Sequence, residues 1–261
     1  MSGLTISRRQ LHLLSRQTGA NDWAFPFRPP QWPWQSGEER SRAELATRRE
    51  LESAGLLVPT GDRTWHASPL LGATAVLLGS WTSSADIVYH APEATIVAAV
   101  YSDGARGVRV VGADIASDED LQLDPADPAE PFGALLDTVP DRPAGPSRPV
   151  RVPAREGALS TDGPTTRRAT EDLRIARTLI ASGTGMGRIG VTVRSAPGAP
   201  ERRCPRLVAF VDSSSAHLGG RYELSHSDDY ATLAPADRTT LIKATHRMLA
   251  DTSIAACAPS R

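Results

Sequence analysis

A glycine-rich run at residues 183–190 is the segment of this chain with the clearest potential for chemistry. Its Gly185, Gly187 and Gly190 have the G-x-G-x-x-G spacing of dinucleotide sites. Such a site needs a strand before the turn and a helix after it, because the helix N-terminus holds the pyrophosphate. Here the sequence predicts a helix first and a strand second. We therefore expect a flexible helix–strand connection, and the alternative function is a small-molecule- or nucleotide-binding α/β domain that uses Gly183–Gly190.

The other residues that could bind a metal ion or take part in catalysis do not converge on one site. Asp212 and Ser214 follow a predicted strand in the Asp-x-Ser pattern of some cation sites, but Ala216 stands where another oxygen ligand is needed. The two cysteines, Cys204 and Cys257, are too few for a four-ligand zinc site. The chain also lacks a G-x-S-x-G nucleophile motif. The sequence predicts no metal site, no catalytic residue and no cofactor, which favours a binding protein over an enzyme.

Four residues in the C-terminal third are predicted to have a structural role. Asp212 ends one predicted strand, and Gly220, Arg221 and Tyr222 open the next. On neighbouring antiparallel strands Asp212 and Arg221 would face each other, so we expect an ion pair there with Tyr222 packed inward.

Composition and charge exclude several classes of partner. The 261 residues include 29 basic and 30 acidic side chains, which gives a net charge of −1. This balance provides no basic field for a nucleic-acid backbone. No apolar stretch approaches the roughly 20 residues that span a bilayer, and the first residues lack the pattern of a signal peptide. We expect a cytoplasmic protein with no nucleic-acid partner and no membrane insertion.

The elements that must position these residues are helices and antiparallel strands. Capping boxes at Ser7/Gln10 and Ser36/Glu39 predict two helices, and Ser68–Pro69 predicts a third. Strands with short connections are predicted at 86–90, 95–101, 106–111, 188–194, 206–212, 221–225 and 230–233. Further helices are expected at 131–139, at 166–182 and from residue 235 onward.

Three segments depart from this pattern. The aromatic and proline-rich segment Trp23–Trp34 is expected to pack its rings on the body of the protein. The acidic stretch 114–130 is expected to be solvated and partly mobile. The proline-rich segment 140–153 is expected to connect two halves.

The order helices, strands, helix occurs twice along the chain. We therefore expect an α+β fold with an antiparallel sheet and flanking helices. The domain prediction is a single domain over 1–261, with quasi-repeated halves at about 1–140 and 154–252 and a frayed tail at 253–261.

Motifs over nearly the whole chain resemble the EspG-type chaperones associated with type VII (ESX) secretion in actinobacteria. In the first half they are Leu51-x-x-x-Gly55-Leu56 and Leu135-Leu136-x-x-Val139-Pro140. The stronger likeness is C-terminal and comprises Gly185-x-Gly187-Arg188-Ile189-Gly190-Val191, Phe210-Val211-Asp212, Gly220-Arg221-Tyr222 and Thr232-Leu233-x-Pro235-Ala236-Asp237.

The resemblance implies a quasi-two-fold fold, with a central antiparallel sheet flanked by N-terminal and C-terminal helical bundles. It also implies a cytosolic chaperone that binds the tip of a helical-hairpin substrate of the PE/PPE or WXG type. Such a chaperone would cover an apolar tip that otherwise aggregates, until the secretion ATPase takes the substrate.

The resemblance further implies where the partner binds. In the family, a strand–strand loop of the first half and the C-terminal bundle grip the tip. We therefore expect docking on two loops at one edge of the sheet and on the last helix, by helix-in-groove recognition. The expected partner-binding residues are Pro92, Glu93, Asp103, Arg106, Arg238 and Arg247.

Overall fold

The computed structural model describes residues 3–17, 25–27, 36–61, 64–112, 120–153, 167–227 and 229–257. The helices in these ranges are α1 (Arg8–Gln17), α2 (Gly37–Ser53), α3 (Pro69–Ser80), α4 (Pro131–Leu136), α5 (Arg167–Ala181) and α6 (Arg238–Cys257). The strands are β1 (Leu4–Ser7), β2 (Leu57–Gly61), β3 (Thr64–Ala67), β4 (Ser83–His90), β5 (Thr95–Ser102), β6 (Gly107–Gly112), β7 (Asp120–Ala126), β8 (Val150–Pro153), β9 (Gly183–Val193), β10 (Arg202–Arg203), β11 (Val208–Ser213), β12 (Gly220–His226) and β13 (Tyr230–Pro235).

One large antiparallel sheet organises the fold. Its strand order is β1-β7-β6-β5-β4-β9-β11-β12-β13-β8, with β10 paired to β9, and β2 and β3 form a separate hairpin. The two halves meet where β4 pairs with β9, from Ser83 opposite Val193 to His90 opposite Met186. On each side a helix precedes a four-stranded meander and another helix follows it. The duplicated order of elements predicted from the sequence is therefore present.

Side-chain alternation along the strands gives the sheet two covered faces. On β5, Val97 and Ala99 pack with residues of α1, α2 and α3, whereas Ala98 and Val100 pack with residues of α4 and α6. Helix α5 covers the second half on the same face as α1–α3, through Leu179 against a cluster that includes strand residues of β12 and β13. Helices α4 and α6 therefore share the opposite face.

The predicted helix starts are confirmed in atomic detail. At the first box the Ser7 N–H donates to Gln10 Oε1 at 3.0 Å, and the Gln10 N–H donates to Ser7 Oγ at 3.2 Å. At the second, the Glu39 N–H donates to Ser36 Oγ at 3.2 Å. Helix α2 ends at Ser53, and Gly55 follows it with a φ of 69°, as is common just after a helix. Short-range capping chemistry in the sequence was sufficient to place both starts.

The acidic stretch 114–130 is corrected in part. Residues 113–119 lie outside the described residues, but Asp120–Ala126 is strand β7, between β1 and β6. Leu121 and Leu123 are buried, and the polar residues that alternate with them face away from that core. The excess of carboxylates predicts a solvated segment, whereas the alternation of apolar and polar residues predicts a strand. The charge therefore obscured the period-two pattern.

Further expectations are corrected at the ends of elements. Strand β1 was missed, and α6 continues to Cys257, beyond residue 253 where fraying was expected. The end of the segment 140–153 is the edge strand β8. Within the segment Trp23–Trp34 the structure describes Phe25–Phe27, and Phe27 is buried. The tryptophans of this segment lie outside the described residues.

Candidate functional site

A buried hydrogen-bond network joins the two halves at the motif residues. Arg221 on β12 faces Asp212 on β11, with Nε 2.6 Å from Oδ1 and Nη2 2.8 Å from Oδ2. The hydroxyl of Tyr89, on β4 in the first half, donates to Asp212 Oδ2 at 2.9 Å, and Arg221 also donates to the Pro140 carbonyl at 2.7 Å. Asp212, Arg221 and neighbouring Tyr222 are at most 1% exposed. The predicted ion pair is present, and its charges are satisfied inside the protein, as buried charges require.

The network holds Tyr89 in its protonated form. Burial, followed by the charge of Asp212 and its hydrogen bond, raises the pKa of Tyr89 to about 12. The phenol therefore remains a donor over the physiological range of pH. These groups bridge β4, β11 and β12, which favours a structural role over a catalytic one.

Backbone hydrogen bonds hold the segment after α4 against the start of β12. The Arg221 N–H donates to the Pro143 carbonyl at 2.8 Å, and the Gly145 N–H donates to the Arg221 carbonyl at 3.1 Å. Gly220 has a φ of 133°, and a Cβ there would lie 2.7 Å from the Gly145 Cα. The connection between the halves is thus part of the packed structure, and Gly220 is needed for its close approach.

The glycine-rich run is a central strand, so the expectation of a flexible connection is wrong. Strand β9 lies between β4 and β11. A Cβ on Gly185 would lie 2.0 Å from Tyr89 Oη, and a Cβ on Gly187 would lie 2.2 Å from Phe210 Cζ. These glycines make room for aromatic rings of the neighbouring strands. The run therefore contributes sheet packing rather than a phosphate-binding turn.

The two expected first-half loops lie at opposite ends of β5. Pro92 and Glu93 are exposed in the β4–β5 turn, beside the start of β5, whereas Asp103 and Arg106 follow its end. The strand between them has eight residues, so the two turns are separated by its whole length. The expectation that they form one edge of the sheet is wrong.

Asp103 and Arg106 hold their own turn together. Asp103 Oδ1 accepts the N–H groups of Ala105 and Arg106, and Oδ2 accepts the Arg106 side chain at 3.0 and 2.6 Å. Burial alone would raise the pKa of Asp103, but the Arg106 side chain and these N–H groups lower it overall. Both charges are therefore engaged within the turn.

The two expected arginines of α6 have different surroundings. Arg238, at the start of the helix, pairs with Asp137 and donates to the Gly133 carbonyl at 2.8 Å, which ties α6 to α4. Arg247 is exposed, two turns further along, and has no hydrogen-bond or ion-pair partner among the described residues. Of these two expected contact residues, Arg247 is the one whose charge is open to a partner.

Arg247 lines a groove between α6 and the outer part of the second-half sheet. This groove, here called the α6 groove, has a volume of about 650 Å³. An exposed ion pair between Arg206 Nη2 and Asp251 Oδ2, 2.6 Å apart, bounds it. It is lined by Arg206, Leu207, Val208, Ala209, Glu223, Leu224, Ser225, His226, Ala244, Arg247, Met248 and Asp251.

Glu223 is the second open charge of the α6 groove. It is half-buried on β12, beside Phe210 of β11 and Ala234 of β13 in the strand registers. Burial raises its pKa, and the charge of Arg247 opposes that shift only in part. Within the described ranges Glu223 has neither a hydrogen bond nor an ion pair. A half-buried carboxylate that faces a groove without a partner makes Glu223 a candidate functional residue.

The first half has a matching groove beside α4, whose charges are already paired. This α4 groove has a volume of about 470 Å³. Its Arg109 lies 2.8 Å from Asp124, and its Asp137 pairs with Arg238. It is lined by Ala94, Thr95, Ile96, Arg109, Val111, Gly112, Gln122, Asp137 and Thr138. The contrast singles out the α6 groove as the candidate site.

Glu223 is not among the residues that the sequence motifs single out, although the strand pattern around it carries a signal. Along β12 the residues Tyr222, Glu223, Leu224 and Ser225 alternate between apolar and polar. This alternation predicts one covered and one open face, and the open face carries the carboxylate. The groove itself needs the packing of α6, which no local pattern provides.

The described residues contain no group of three or more His, Cys, Asp or Glu side chains placed to hold a metal ion. None of the described helices combines the length and apolarity needed to cross a membrane.

Comparisons with known proteins identify the family. The solved structures that match include the Mycobacterium tuberculosis type VII secretion system chaperone EspG5 in complex with a PE25–PPE41 dimer, with a TM-score of 0.62 and 14% identity over 96% of each chain. The comparison with curated proteins gives no match. The model of the EspG family matches residues 7–246, which is most of the chain. This chain belongs to the EspG family.

Proposed function

We propose that this protein is a cytosolic type VII secretion chaperone that binds the tip of a helical-hairpin substrate of the PE/PPE type in the α6 groove. Its family and its similarity to a chaperone solved with a PE–PPE dimer support the class of partner. The observation that carries the placement is the pair of open charges, Glu223 and Arg247, beside apolar Met248. A groove of this kind suits an amphipathic helical segment.

The proposal refines the expected contact residues. Arg247 lies in the α6 groove and remains a contact. Pro92, Glu93, Asp103 and Arg106 are at most secondary contacts, because the two turns lie at opposite ends of β5.

We also propose how the helices of the two halves are related. We infer a quasi-two-fold axis normal to the sheet between β4 and β9, which relates the α4 groove to the α6 groove. The single domain over 1–261, with halves at about 1–140 and 154–252, is part of this proposal. WXG-type hairpins are a further client class, and the secretion ATPase is the proposed recipient of the client.

The function proposed is binding without catalysis or cofactor. Asp212 and Arg221 are the most deeply buried charged residues that the structure describes. They form an ion pair with each other inside the network that joins the halves. Nucleotide binding through Gly183–Gly190 is disfavoured, because side chains of β4 and β11 occupy the space at its glycines.

Co-expression with PE–PPE pairs of the source organism tests the proposal. Ser225 is exposed in the α6 groove, and Ser225→Trp would fill the groove without entering the core. We expect it to abolish co-purification, whereas Gln122→Trp, which fills the α4 groove, leaves it intact. A complex that survives Ser225→Trp would contradict the placement, and a wild-type chain that forms no complex would contradict the function.

A further inference from the structure

Glu223 and Arg247 are a carboxylate and a guanidinium that face one groove without forming a salt bridge. Arg247 influences the ionisation of Glu223 through space, yet no ion pair within 4.0 Å joins them. In the α4 groove, by contrast, Arg109 and Asp124 are paired. An occupant that covers the α6 groove must therefore satisfy both charges.

The tip of a helical hairpin offers both complements through its backbone. The helix that enters the turn ends in free carbonyl groups and carries partial negative charge there. The helix that leaves the turn begins with free N–H groups and carries partial positive charge. A carboxylate stabilises a helix N-terminus, and a cation stabilises a C-terminus.

We propose that Glu223 and Arg247 recognise a helical-hairpin tip by its backbone polarity, with Glu223 at the N-terminus of the outgoing helix and Arg247 at the C-terminus of the incoming helix. This inference rests on the proposed function and adds what the site recognises. The two charges lie on different elements, β12 and α6, so they fix the orientation of the hairpin across the groove. Recognition of this kind needs no particular side chain on the substrate.

Single substitutions test each end. The dissociation constant for a PE–PPE pair of the source organism that co-purifies with this protein is measured by calorimetry at low salt. Glu223→Gln keeps the shape and removes the charge, and Arg247→Gln removes the charge but leaves a polar amide. We expect each to weaken binding by about five- to tenfold. Glu130→Gln and Arg177→Gln, at exposed positions outside the groove, are the matched controls and should bind as the wild type does.

A charge swap separates this account from a simple ion pair. If Glu223 and Arg247 only paired with each other on docking, the double variant Glu223→Arg/Arg247→Glu would restore binding to within about twofold, since pairing energy survives exchange. Recognition of polarity predicts instead that the swap binds more weakly than either single variant. Restoration by the swap would overturn the proposal.

A third experiment tests whether Glu223 contacts the backbone or the side chains of the substrate hairpin. In a hairpin whose charged side chains at the tip are replaced by alanine, Glu223→Gln should cost the same factor as before. Loss of that sensitivity would assign the contact to a substrate side chain and overturn the proposal. If Ser225→Trp abolishes binding while neither glutamine variant changes it, the groove stands and the polarity account fails. If Ser225→Trp has no effect, both the placement and this inference fail.

Discussion

Asp212, Asp86 and Asp172 are buried carboxylates, and each accepts hydrogen bonds from an arginine side chain. Asp86 binds both Nη atoms of Arg203, at 2.6 and 3.0 Å, although burial still raises its pKa above the usual value. Glu223 differs because its desolvation is not offset by a contact. At the scale of residues, these buried carboxylates are satisfied by arginines, whereas Glu223 and Arg247 in the α6 groove have no such contact among the described residues.

The pair of Asp212 and Arg221 gives the first prediction. Arg221→Ala would leave the Asp212 carboxylate buried without its cation, and breaking such a pair costs about 3–5 kcal/mol. We expect a free energy of unfolding lower by that amount, measured by denaturant titration. Arg206→Ala, which breaks the exposed pair with Asp251, is the control and should cost less than about 1 kcal/mol. Equal effects of the two variants would show that the buried network does not stabilise the fold.

Glu223 gives a prediction about pH. Its pKa is higher in the folded protein, so folding favours the protonated form; that contribution is complete below the unfolded pKa of about 4.3 and is lost as pH rises through the folded value. Glu223→Gln should therefore melt at a higher temperature than the wild type at pH 7, and the difference should shrink towards pH 4. Arg206, His226 and Asp251 also face the groove and are present in both proteins. Arg247 is present in both as well, but its charge acts on Glu223 and reduces the expected difference. A difference independent of pH would contradict the assignment.

At the scale of elements, local chemistry predicted the helices well and the central strand poorly. The capping boxes fix where α1 and α2 begin, because the bonds they make span only three residues. Strand β9 contains Gly183, Gly185, Gly187 and Gly190, and glycine is depleted in strands on local grounds. Its strand conformation depends on Tyr89 and Phe210, which approach from distant parts of the sequence. No single-sequence pattern carries that information.

The edge strand β8 shows the same dependence on distant residues. The Arg151 N–H points away from β13 and donates to Asp172 Oδ2 of α5 at 3.3 Å, while prolines flank the strand. These features occupy an edge that would otherwise be free to pair with another chain. Proline content alone had suggested a connecting segment, because the partner on α5 is not visible in the local sequence.

Gly187 provides a test at this scale. A Cβ at residue 187 would lie within 2.2 Å of a Phe210 ring that is itself fully buried. Gly187→Ala should therefore destabilise the protein by about 1–3 kcal/mol through overpacking, as seen in a lowered denaturation midpoint. Gly37→Ala, where a Cβ would meet nothing within 4 Å, is the control and should leave the midpoint almost unchanged. A neutral Gly187→Ala would show that the ring can move aside.

At the scale of the whole molecule, two grooves beside the sheet differ in their charges: Arg109 and Asp137 in the α4 groove are paired, whereas Glu223 and Arg247 in the α6 groove have no ion pair among the described residues. In the first half, α4 is a helix of 6 residues, and Arg109, Asp124 and Asp137 are paired around its groove. In the second half, α6 has 20 residues and extends along the sheet to Arg247 and Asp251. The family and the α+β class could be inferred from motifs in the sequence, whereas the site depends on how α6 packs against β11 and β12.

Amide hydrogen exchange of this protein, alone and in complex with the proposed PE–PPE client, tests the central claim most directly. The account predicts slower exchange on binding in residues 206–209, 223–226 and 244–251, which line the α6 groove. It predicts unchanged exchange in residues 94–96 and 109–112 of the α4 groove. Protection confined to the α4 groove, or to the turns at Pro92 and Asp103, would contradict it.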